Sequence, residues 1–374
     1  MADVVWNFKF ASQPVYELLG EVVSTQDIPV AIPTAFLMQA GSFHVAFEGN
    51  FTVNGYALTG GTITGFKAFS SGVLVLEATG YSIDAKAFQA SFAGNTFVTF
   101  LHLTDMPMTL NGSEMSDSMN GSFEGLVHPR RIFGNGGNDD ILGGGGDDFI
   151  SGGAGQDGLY GGAGSDTADY SEKIDDVVVT LTGSTVAVVK VGSVDEDTIR
   201  DIENINGGSG NDTLTGDGLA NRLVGNDGDD RLAGGDGNDV LVGGAGRDRI
   251  DGGRGNDEID GGAGKDVVVG GKNSDSFVFS TTLDPGDNVD KIKDFKPGAD
   301  TIVLANAIFT ALAPGELKGK YFAVGEKAKD GNDHLIYDDG KLSYDADGKG
   351  GEKAILFAKL KGAPDIDAGD FVIV

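Results

Sequence analysis

From Gly134 onward the apolar positions return every nine residues, a period that belongs to neither an amphipathic helix nor an alternating strand. Units run over 134–142, 143–151, 152–160 and 161–169, and eight more follow over 207–278. Most read Gly-Gly-x-Gly-x-Asp-x-apolar-x. The eighth place holds Ile141, Ile150, Leu159 and Ala168, then Leu214, Leu223, Leu232, Leu241, Ile250, Ile259, Val268 and Phe277. An x-apolar-x segment is a minimal strand whose central side chain points inward. The glycine-rich remainder must turn the chain sharply, which glycine does at little steric cost. Two units therefore make one coil with a turn on each side, and equivalent turns stack every eighteen residues. Twelve units in register are not a chance match.

Outside the repeat the patterns differ. Before it, Phe43, Val45 and Phe47 alternate, as do Phe51 and Val53, and 60–66, 73–76 and 96–103 read as further strands. This predicts an antiparallel β domain. Between the two repeat blocks, Val177, Val178, Val179 and Leu181, then Val186, Val188, Val189 and Val191, flank Gly183 and Ser184. That pattern predicts a hairpin that interrupts or widens the coil. A solenoid exposes an apolar coil at its end, so the segment after Phe279 is expected to be a cap. The predicted fold is all-β: a parallel β-roll (solenoid) with an N-terminal antiparallel β domain and a C-terminal β cap. Its segments are 1–111, the first roll block 112–169, the β insertion 170–206, the second roll block 207–279 and the cap 280–374. Residues 112–120, with Asp117 and Met119 in place, read as a decayed leading repeat.

Charge changes the picture. The formal net charge is -30, and 62 glycines stand against only 9 prolines, which excludes a collagen-like chain. So acidic a chain repels nucleic acid and attracts cations. The acidic residues are not scattered. The sixth place of the repeats holds Asp139, Asp148, Asp157, Asp166, Asp212, Asp230, Asp239, Asp248, Asp257, Asp266 and Asp275, with Asn221 the one exception. Stacked turns bring each of these toward the carboxylates one coil above and below, where like charges a few Å apart repel by roughly 1–4 kcal/mol. A hard divalent ion between turns reverses that sign. Calcium takes about 6–8 oxygen ligands from carboxylates and carbonyls, whereas magnesium demands octahedral geometry and keeps its waters. Zinc wants His or Cys, which the repeats lack, and the chain has no cysteine at all.

These residues resemble the RTX (repeats-in-toxin) family of secreted proteins, whose hemolysin-type nonapeptides form a parallel β-roll that binds Ca2+ between turns. The resemblance covers 134–169 and 207–278. It implies calcium as the cofactor, on the order of 6–8 ions, held by the eleven sixth-place aspartates named above. Departures are local: Asn221 implies a weaker or vacant site in its coil, Asn273 replaces a third glycine, and Asn135 and Asn226 replace second glycines. Segments 290–295, 300–304 and 336–348 resemble the C-terminal cap of such proteins. Residues 1–20 lack a basic start followed by an unbroken apolar core, so no Sec signal peptide is expected. The last five residues, 370–374, are similar to the uncleaved C-terminal signal of type I secretion substrates. The resemblance thus implies an extracellular bacterial protein exported by a type I apparatus without a transmembrane segment, folding once it meets external calcium.

Catalytic chemistry is not evident. His44, His102, His128 and His334 are scattered, and neither a His-Glu-x-x-His nor a Gly-x-Ser-x-Gly motif occurs. Asp284–Pro285 and Asp345 with Asp347 read as turns. No catalytic residue is therefore assigned. The expected role is calcium binding, with 1–111 offering a surface for matrix, cell-surface or glycan adhesion. The alternative is a small secreted enzyme, for example one acting on polysaccharide, with its site in that N-terminal domain.

Overall fold

One buried aliphatic side chain per nine residues contributes about 1.5–3 kcal/mol, little against ordering nine residues of glycine-rich backbone. Such a chain gains cohesion only by stacking each coil on the next. The computed structural model describes residues 129–348 and 353–374, and before them the strand Val30–Ile32 and the strands named below. It divides into two compact units, Met1–Ala168 with Asp197–Asp201, and Asp169–Glu196 with Ile202–Val374.

In the first unit the N-terminal strands form an antiparallel meander. Asn7–Ala11 pairs with Ala35–Ala40, which pairs with Phe43–Asn54, followed by Ala57–Ser70 and Val73–Asp84. The strand Met108–Asn111 lies antiparallel to Val73–Asp84 on one side and parallel to Arg130–Phe133 on the other. One sheet thereby passes from meander to coil without an edge. From there two parallel walls alternate. One holds Arg130–Phe133, Phe149–Ser151 and Thr167–Asp169. The other holds Ser118–Asn120, Asp140–Gly145 and Gly158–Ala163, and then Thr198, Ile199 and Arg200. Met119 is buried opposite Ile141, as expected of a decayed leading repeat. The anticipated strand over 96–103, together with Asp117, His102 and His128, lies outside the described residues.

In the second unit the register is stricter. Asn204–Asn206, Arg222–Asp227, Val240–Gly246, Glu258–Gly264 and Ser276–Phe279 build one wall. Thr213–Thr215, Arg231–Asp236, Arg249–Arg254 and Val267–Lys272 build the other. Leu232 faces Ile250 and Ile250 faces Val268, an offset of eighteen residues each time. Several strands exceed the expected three residues, because the two glycines opening the next unit continue the ladder, as in Gly235 beside Gly253. The hairpin of Val177–Thr180 and Ala187–Val191 forms as expected, and Val179 stacks on Leu214. After the repeats, Asp290–Ile292 and Ile355–Leu360 extend one wall, while Thr301–Leu304 and Phe371–Ile373 extend the other. Lys341–Tyr344 lies antiparallel between Leu335–Asp338 and Ile355–Leu360, and Phe322–Val324 adds a parallel strand outside them. Phe309, Phe357 and Phe371 are the largest of the cap's fully buried side chains.

Candidate metal centre

The eighth-place side chains form the dry interior, with Ile141, Ile150, Leu223 and Leu241 fully buried. All eleven sixth-place aspartates are buried as well, none more than 3% exposed. Two residues apart on a strand, sixth and eighth places lie on the same face, so the carboxylates are sealed beside the aliphatic column rather than turned to water.

Each carboxylate uses its two oxygens differently. Oδ1 accepts the backbone N–H of the sixth-place residue one coil earlier. Asp157 accepts from Asp139 at 2.7 Å, Asp166 from Asp148 at 2.7 Å, Asp230 from Asp212 at 2.7 Å, and Asp248 from Asp230 at 2.8 Å. Asp239, Asp257 and Asp275 repeat this on the opposite side. These bonds are charge-assisted and satisfy buried donors. Oδ2 of Asp148, Asp230, Asp239, Asp248, Asp257 and Asp275 is buried and has no hydrogen-bond partner. A buried anionic oxygen without a partner is costly unless a cation meets it.

That oxygen faces a small cradle shaped by the first glycine of its own unit. A Cβ on Gly252 would lie 2.5 Å from both Asp257 Oδ2 and the Gly270 carbonyl. At Gly143 it would lie 2.5 Å from Asp148 Oδ2 and 2.7 Å from the Gly161 carbonyl. Gly207, Gly225, Gly234 and Gly243 repeat the arrangement with Asp212, Asp230, Asp239 and Asp248 and the carbonyl one coil on. Every donor in the cradle is oxygen, one charged and one a backbone carbonyl, which suits a hard cation such as calcium. Among the described residues no three carboxylate or imidazole groups converge on one point, so carbonyls must supply much of any coordination shell.

Without a cation these carboxylates are harder to ionise than ordinary ones. Burial pushes Asp230 and Asp248 up to about 7, and the carboxylates one coil away add to the rise. Burial likewise lifts Asp239 and Asp275 to about 6, against the lowering effect of their backbone N–H partners.

The ladder extends past the residues that the repeat pattern singles out. Asp197 accepts from the Asp157 N–H at 2.8 Å, Asp290 from Asp266 at 3.1 Å, and Asp300 from Asp275 at 3.1 Å. None sits in a nonapeptide, because an insertion or cap breaks the spacing. Each does keep the local grammar Asp-x-Ile, in Asp197–Ile199, Asp290–Ile292 and Asp300–Ile302, and that was the signal available. A second ladder was missed outright. Fifth-place side chains accept from the backbone eighteen residues later, as Asn138 from Gln156, Asp229 from Arg247 and Asn256 from Ser274. At Asn221 the side-chain amide donates to the Glu203 carbonyl at 2.9 Å, so that place carries no charge.

A family model, the RTX calcium-binding nonapeptide repeat, matches this chain in four copies, over 133–168, 200–218, 215–250 and 242–277. The chain carries RTX calcium-binding repeats. Sequence comparison with curated proteins gave no match. Among solved structures, the chain is similar to a subunit of the Azotobacter vinelandii mannuronan C5-epimerase, at 25% identity and a TM-score of 0.27, covering 44% of this chain and 78% of that one. It is also similar to the extracellular lipase LipA of Serratia marcescens, at 17% identity and a TM-score of 0.22, covering 66% of this chain and 38% of the lipase. Among the described residues no helix is long and apolar enough to cross a membrane.

Proposed function

We propose that this is a secreted calcium-binding protein whose repeats fold when calcium enters the inter-coil cradles. The observation that carries the reading is the row of buried Oδ2 atoms, at Asp148, Asp230, Asp239, Asp248, Asp257 and Asp275, that lack a partner. The residues holding the ion are the sixth-place aspartates together with the first-glycine carbonyl of the next coil. Calcium bound there neutralises carboxylates that otherwise repel or stay protonated. Extracellular modules bind calcium with Kd on the order of 10⁻⁴–10⁻³ M, so the sites stay empty at cytosolic calcium and fill outside. Each filled site stabilises the fold by RT ln(1+[Ca]/Kd). The metal-free repeats, rich in glycine and self-repelling, then remain unfolded and suited to passage through a type I export channel.

Circular dichroism of the whole chain tests this. In chelator the repeats should lack β structure, and added calcium should restore it cooperatively. Full β content in excess chelator at neutral pH would refute the coupling.

For residues 1–111 the reading is adhesion to glycan or cell surface. Its support is an antiparallel meander over Phe43–Asp84, a stretch that lies outside the nonapeptide repeats. Calcium-loaded protein on a glycan array, with a binding-deficient outcome counting against adhesion, is the direct test.

A further inference from the structure

Arg130 stands eighteen residues before Asp148, and its backbone N–H donates to Asp148 Oδ1 at 2.7 Å, the bond that a sixth-place residue makes throughout the ladder. The sequence agrees with that placement. Counting back one unit from Gly134 gives 125–133, with Gly125 first, Arg130 sixth and Ile132 eighth. Ile132 is fully buried and pairs with Ile150. A position that is aspartate in eleven repeats is therefore arginine at the start of this column.

The guanidinium is not directed to solvent. Its side chain is 3% exposed and lies 3.9 Å from Asp148 Oδ1. Nη1 donates to the Gly143 carbonyl at 3.0 Å and to the Gly145 carbonyl at 3.1 Å. The Gly143 carbonyl is the oxygen that, in later coils, completes the cradle of the preceding sixth-place aspartate. Elsewhere an aspartate and that carbonyl present oxygen to oxygen and require a cation between them. Here the side chain itself brings the positive charge and the N–H donors.

We infer that Arg130 is a resident cation that fills the first inter-coil place of its column, where a metal ion would otherwise stand. The inference rests on the calcium reading of the cradles above. Arg130 removes one ion from those the roll must bind, because the place between the leading coil and the next already holds a positive charge. A buried guanidinium paired with a carboxylate and two carbonyls is adequately satisfied for this role.

Counting bound calcium on the full chain tests the inference. Wild type and Arg130→Asp would be equilibrated with saturating calcium, and the ions per chain measured by equilibrium dialysis with elemental analysis. Arg130→Asp should hold one ion more than wild type, because it restores an ordinary sixth place. An equal or smaller count in a variant with wild-type β content would overturn the inference. Should that variant fail to reach wild-type β content, Arg130→Met and Arg130→Lys decide. Arg130→Met should shift the folding midpoint to higher calcium, with Arg130→Lys in between; Arg130→Met titrating like wild type would overturn it. Wild type that bound no calcium at all would instead refute the underlying reading, so the two failures are distinct.

Discussion

The backbone N–H of Asp230 donates to Oδ1 of Asp248, one full coil further on, at 2.8 Å. The same side chain that is aimed at a metal cradle is thus also a rung between coils. Metal affinity and coil stacking share one residue, and substitutions can separate the two.

Asp248→Asn keeps an acceptor for the Asp230 N–H and removes the negative charge. It should stack normally but bind calcium more weakly, with a higher midpoint in a calcium titration. Asp248→Ala also strands a buried N–H, which costs about 1–3 kcal/mol further. Chemical denaturation of both variants in saturating calcium measures the difference.

Gly252→Ala should be damaging even though the added methyl is small. Its Cβ would sit 2.5 Å from Asp257 Oδ2 and from the Gly270 carbonyl, inside the cradle. Overpacking of this kind costs about 1–3 kcal/mol, and here it also displaces the ligand oxygens. Isothermal titration calorimetry should find fewer calcium ions bound per chain than in wild type.

Ile250→Ala removes a side chain that is 2% exposed and stacked between Leu232 and Val268. A cavity there should cost about 2–5 kcal/mol. Calcium affinity should fall only through the coupled loss of folding, so a denaturation series at fixed saturating calcium gives the cost directly.

The pH dependence should have opposite signs with and without calcium. In the metal-free fold, burial raises Asp230 and Asp248 to about 7 and Asp239 to about 6. The folded form then holds protons that an unfolded chain has released above its ordinary carboxyl pKa of about 3.9. The stability so contributed is fully present below that value and is lost as pH rises through about 6–7. Chelated protein should therefore show more β structure near pH 5 than near pH 8. With calcium present, protons compete for the same oxygens, and the calcium midpoint should rise as pH falls below about 6–7. Dichroism titrations across this range, with and without chelator, check both signs.

Much of the roll was legible because one nine-residue grammar fixes turn, ligand and core together. Ile141, Leu232 and Ile250 could be placed on inward faces from spacing alone. Asp197, Asp290 and Asp300 could not, because their distance from the previous rung depends on how an insertion or cap folds back, with separations of 40, 24 and 25 residues. The fifth-place ladder was hidden for a different reason. Gln156, Arg247 and Ser274 contribute only their backbone N–H to it, and a backbone donor leaves no mark on residue identity. Arg130 was obscured because charge reversal at a sixth place looks like the absence of the motif rather than its completion.

The eighteen-residue register of Leu232, Ile250 and Val268 also sets a parity rule on how this chain can lengthen or shorten. Loss or gain of a whole turn leaves every downstream strand on its original side. Loss of a single nonapeptide would transpose the two sides for everything that follows. The closing strands at Asp290–Ile292 and Thr301–Leu304 would move with the coils they pair with, so the mismatch would fall where the shifted coils meet those before the change, each wall there continuing the other. Growth by duplication is therefore cheap in even counts of the unit and disruptive in odd ones.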